Sequence, residues 1–177
     1  MTERYSEMVR NMNRPAAQYN PCARLLLELM DRGAESCVSV RFNAAAPEGH
    51  DAGRCTDNSI RHAESHGHDV VVVGLATPIG GFAPLPHTWT EDLEVTPGWE
   101  GEVWYVGIRV PLSVAKEVWS TVQEWTHDGP WISRFSMAVR EVYMETESMD
   151  RIDQWMAAIR AVNPVAASEM QDESAGV

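Results

Sequence analysis

The run DVVVVGLATP, Asp69 to Pro78, restricts the fold more than any other part of the chain. Four consecutive valines followed by glycine, leucine and alanine are β-branched or small and carry no charge, so the segment reads as a buried strand. The stretches around it must supply the cover. In NPCARLLLELMDRG, Asn20 can cap a helix, Pro21 suits its first position, and Gly33 can take the left-handed conformation that ends it. SCVSVRFN alternates at period two and reads as a strand, and residues 43–54 form a Pro/Gly-punctuated loop. Cys55 to His66 reads as a helix stopped by Gly67.

Beyond the valine run, PHTWTE, LEVT and EVWYVGIRVP are expected as three strands of a small antiparallel meander. LSVAKEVWSTVQEW is a helix with Val114, Val118, Val122 and Trp125 on one side. RFSMAVREVYMET fits either strand or helix. SMDRIDQWMAAIRAVNP is a helix capped by Ser148 and stopped at Asn163-Pro164. Residues 1–19 fit a helix or a loose arm, and residues 165–177 read as a flexible acidic tail. Helices come first, then strands, then helices, so the expectation is one α+β domain over 1–164, an antiparallel sheet packed with helices. The length of 177 residues suits a single domain.

The net charge of −12 and a pI near 4.8 disfavour nucleic acid and anionic membranes as partners. Lys116 is the only lysine among 14 basic residues, so there is no polybasic arm. Cys22, Cys37 and Cys55 cannot all pair and show no CxxC spacing, which points to a reduced, cytoplasmic chain. The N-terminus lacks an apolar signal region, and no apolar run is long enough to span a bilayer.

Chemistry concentrates in two stretches, GRCTDNSIRHAESHGHD and PLPHTWTEDLEVTPGW. Cys55 opens a helix, where unpaired N–H groups favour a thiolate, and its own N–H can serve as half of an oxyanion hole. His87 lies on a strand with Trp89 on the same face, and a carboxylate from the returning chain can hold its ring. Glu94 is the first candidate for that acid and Asp92 the second. Trp89 and Trp99 are candidate cleft walls.

The ordered set RCTDNS, VVVVGLA, PHTWTED, LEVTP and WYVGIRVP resembles a papain-like or transglutaminase-like cysteine domain, in the small form common among uncharacterised phage and bacterial proteins. The resemblance covers about residues 53–111. It implies Cys55 as nucleophile with Asn58-Ser59 as the helix signature, Gly74 as the strand glycine, His87 and Trp89 on the base strand, and Tyr105 to Gly107 on the closing strand. Where the pattern has Asp, this chain has Glu94, two residues before Thr96. Papain-like enzymes often carry a Gln upstream of the nucleophile; between Cys37 and Cys55 the only side-chain amide is Asn43. The function implied is thiol-dependent acyl transfer on an amide or ester substrate, proteins among them, as amidase, peptidase or transglutaminase. Cys55, His87 and Glu94 would be catalytic, and Trp89, Trp99 and Asn58 would meet the substrate. No cofactor is implied.

Two other readings were weighed. Cys55, His62 and His66 share a helix face and could hold zinc with His68 or Asp69. Cys55, however, lies about 10 Å along the axis from His62. No metal is therefore assigned, and the histidines are read as a solvated helix end. The second rival is a catalytically silent acidic binding or inhibitor protein docking on a basic partner, supported by the charge, the Glu94 exchange and the missing Gln.

Overall fold

The computed structural model describes residues 2–31, 38–81, 83–122 and 131–164. Cys37, Trp125, Gly33 and the acidic tail lie outside these residues. The order is α1 (Thr2–Ala16), α2 (Pro21–Asp31), β1 (Val38–Asn43), α3 (Cys55–His66), β2 (Val70–Pro78), β3 (Leu85–Trp89), β4 (Gly101–Pro111), α4 (Leu112–Thr121), α5 (Trp131–Thr146) and α6 (Asp150–Ala161). The chain is α+β, with an antiparallel four-stranded sheet in the order β1-β4-β2-β3.

The valine run is β2. It is an inner strand, paired with β3 on one edge and β4 on the other. Because side chains alternate along a strand, register sorts the sheet into two faces. Val71, Val73, Leu75, Val106 and Ile108 point to one side, where they join Leu26, Val118, Phe135 and Ile159 of the helices in the main core. Burying each such side chain contributes about 1.5–3 kcal/mol. On the other side Ala76, Trp89, Val103 and Tyr105 form a second, smaller cluster, edged by Val72 and Trp99. His87 is on this side too, in a row with Gly74 and Gly107.

Local signals act as their chemistry requires. The Asn20 side chain accepts the N–H groups of Cys22 (2.9 Å) and Ala23 (3.1 Å) at the head of α2. Gly67 ends α3 at φ 72°, with the His68 N–H reaching the Ala63 carbonyl. Asn163 clamps β4: Oδ1 accepts the Arg109 N–H (2.9 Å), while Nδ2 donates to the carbonyls of Arg109 and Ile159 (2.7 Å each). The amide thus satisfies a backbone edge beyond Val106, the last partner of β1 among the described residues.

One reading of the sequence needs correction. LEVT, expected as a strand, is loop. The Thr96 N–H goes to the Glu94 side chain (2.9 Å) and not to a neighbouring strand, and Pro97 has no N–H to offer. The open edge of β2 is taken by the eleven-residue β4, which crosses to lie between β1 and β2. The ambiguous stretch 134–146 is helical, within α5, and residues 2–16 form α1. No described helix is long and apolar enough to cross a membrane.

Candidate active site

Cys55 is the first residue of α3, whose cap position, Arg54, makes no side-chain capping bond. The first N–H groups of a helix have no partner within it, so they remain available to an anion. The helix head is fixed against β3 by Thr56 Oγ1, 3.1 Å from Thr88 Oγ1, and by Ser59 Oγ, which donates to the Thr88 carbonyl at 3.0 Å. Those bonds fix the head of α3 against β3 at Thr88, the residue after His87, and Cys55 lies close enough to the imidazole to raise its pKa.

The imidazole is held from the opposite side. His87 Nε2 lies 2.8 Å from Glu94 Oε2, with both side chains 2% exposed. The Tyr105 hydroxyl donates to the same oxygen at 2.7 Å, and Thr96 N–H to Oε1. Asn43 Nδ2 lies 2.6 Å from the Tyr105 oxygen and 2.8 Å from the Trp99 carbonyl. Since Nε2 is committed to Glu94, Nδ1 is the nitrogen left for the thiol. Trp99 stacks on the imidazole, with centroids 4.0 Å apart.

Burial pushes the His87 pKa down, but the bonds to Cys55 and Glu94 and the charges of both groups outweigh it, raising the pKa to about 9. The ring is therefore an imidazolium at neutral pH. Burial, reinforced by the charge and hydrogen bond of Glu94, raises the Tyr105 phenol, so Tyr105 stays a neutral donor. Burial likewise pushes the Cys22 thiol up, in a fully enclosed position beside Met156. Cys55 keeps an edge to solvent, at 9% exposed.

Two glycines make room for this arrangement. A Cβ on Gly74 would fall 2.0 Å from the Val106 carbonyl oxygen, and one on Gly107 would fall 2.6 Å from the Trp89 ring. The indole lies across Gly107 and against Tyr105, with centroids 4.7 Å apart.

The structure pairs His87 with Glu94 and brings Cys55 near the same imidazole. Asp92 is elsewhere, its carboxylate 3.5 Å from His68 Nε2. Asn58 is buried and turned to the loop before α3. Its Nδ2 donates to the Asp51 carbonyl (2.8 Å), and its Oδ1 accepts from Asp51 N–H and Arg61. Asn58 therefore shapes the loop that leads into Cys55. Trp89 is buried but edges a depression of about 210 Å³ with Arg41, Glu91 and Arg109. Sequence reasoning missed Tyr105 as a partner of the acid. The signal was present: Tyr105 stands two residues before Gly107, hence on the same face of β4. His62 is buried, not part of a solvated helix end. Comparison with known protein families, curated proteins and solved structures gives no match.

Proposed function

We propose that the chain is a cysteine-dependent acyl-transfer enzyme, an amidase, peptidase or transglutaminase. The observation that carries this reading is the buried group of the thiol at the head of α3, the imidazole, and a carboxylate with two further donors. A structural histidine needs no thiol on its second nitrogen, and a buried structural cysteine needs no imidazolium. Together they form the nucleophile and base of acyl transfer.

In that reaction the Cys55 sulfur attacks the carbonyl carbon of an amide or ester, and first-turn N–H groups of α3 receive the oxyanion. As the C–N or C–O bond breaks, His87 gives its proton to the leaving group, and the acyl group remains on Cys55 as a thioester. Water or an amine then attacks that carbonyl. His87 takes the proton from the attacking group, and the sulfur leaves. Glu94 keeps the ring oriented throughout and stabilises its positive charge. Trp99 covers the imidazole, and Trp89 edges the depression beside Gly107. Free thiol chemistry of this kind suits a reducing compartment such as the cytoplasm.

One observation favours a second reading. The thiol is nearly closed off and the base wholly so, which also suits a silent acidic binding protein that retains the scaffold and docks on a basic partner. The two separate on incubation with activated esters and a panel of amides, followed by intact-mass and peptide mass spectrometry. The acyl-transfer reading expects an acyl adduct on Cys55, absent in Cys55→Ala and slow to clear in His87→Ala. Acylation at no site, or equally at Cys22, would support the silent protein.

A further inference from the structure

Four of the six histidines gather at the far end of α3, remote from Cys55. The ring of His62 lies 3.9 Å from that of His66 and 5.9 Å from those of His50 and His68, measured between centroids. Sequence proximity explains two of these neighbours, His66 and His68. It does not explain His50, from the loop before α3, or Asp92, from the turn after β3. Asp92 is the carboxylate of the group. One donor atom each from His62, His68 and Asp92 falls within 4.8 Å of the others, and the His68–Asp92 pair is already at 3.5 Å.

That set has the composition a borderline metal prefers, two imidazole nitrogens and one carboxylate oxygen. A tetrahedral ion about 2.0–2.1 Å from each donor needs the donors about 3.4 Å apart, so the widest separation must close by up to about 1.4 Å. His68 and Asp92 have the freedom to do so, being 30% and 56% exposed at the side chain. His62 is the fixed point, buried at the end of α3.

We propose that His62, His68 and Asp92 bind one divalent transition-metal ion of the zinc class. A cavity of about 550 Å³, which His50, His62 and His66 help to line, adjoins the site at His62. The ion would join the end of α3 to the turn between His87 and Glu94, tying together the two segments that carry the thiol and its base. The site shares no residue with Cys55, His87 or Glu94, and its existence does not depend on the acyl-transfer reading.

The test is Co²⁺ titration of the untagged full-length chain, followed by visible absorption, with Zn²⁺ as competitor and thermal unfolding as a second readout. The expected result is uptake of one equivalent with the intense bands of low-coordinate cobalt, displacement by Zn²⁺, and a raised unfolding midpoint. His68→Gln and Asp92→Asn, both at accessible positions, should each weaken uptake by more than about tenfold. Cys55→Ala should bind as the parent does. Absence of uptake would overturn the proposal. So would uptake that persists unchanged in Asp92→Asn, because the ion would then sit on histidines alone.

Discussion

At Glu94 one carboxylate serves three donors: Thr96 N–H on Oε1, and His87 and Tyr105 together on Oε2. Glu94→Gln keeps the size and removes the charge, so the His87 pKa should fall from about 9 toward its ordinary value, read by NMR titration of the imidazole. Tyr105→Phe should raise it slightly, because a donor that competes for the same Glu94 oxygen is gone. A second consequence concerns pH. The folded pKa of His87 lies above the ordinary 6.5, so the protonated ring contributes stability that is fully present below pH 6.5 and is lost as pH rises through about 9. The loss amounts to at most about 3 kcal/mol. Urea denaturation at pH 6 and pH 9.5 should show it in the parent protein, and His87→Gln should flatten the difference. That Cys55 heads a helix, that His87 sits on a strand and that Glu94 lies in the chain returning past it was legible in the sequence, because each is a local feature. The role of Asn43 was not. Its partners, Tyr105 and Trp99, lie 62 and 56 residues away, and only the β1–β4 register brings them together.

Among the elements, β2 and α3 follow directly from composition and punctuation. A run of valines has one stable place, inside a sheet, and Gly67 ends a helix that Cys55 begins. LEVT misleads because alternation alone does not make a strand. A partner edge must be free, and here the longer β4 occupies it while Glu94 turns inward. The strand glycines are the sharpest demand the site makes on the sheet. Gly74→Ala puts a methyl group into backbone that cannot move aside, so it should destabilise by about 3 kcal/mol or more, measured by urea unfolding. Gly107→Ala meets the Trp89 ring first, so it should also disturb the indole fluorescence and the packing beside His87.

At the scale of the whole molecule, the sheet separates two tasks. One face is covered by the helices and holds the main core; the other carries His87, Trp89 and Tyr105, joined there by Asn43 from the end of β1 and Glu94 from the loop after β3. The fold class was legible, since the order of helical and strand patterns is a property of the chain. The strand order was not, because it depends on which edge wins a partner. The surface charge of −12 says what the molecule repels and not what it processes. What decides the account is whether Cys55 and His87 act as a unit. The most direct measurement is the rate at which a small alkylating reagent modifies each thiol near neutral pH, resolved by peptide mass spectrometry. Cys55 should react at least about tenfold faster than Cys22, and His87→Ala should abolish most of that advantage while leaving Cys22 unchanged. If Cys55 and Cys22 react equally slowly, or Cys55 reacts just as fast without His87, the imidazole does not activate the thiol and the central claim fails.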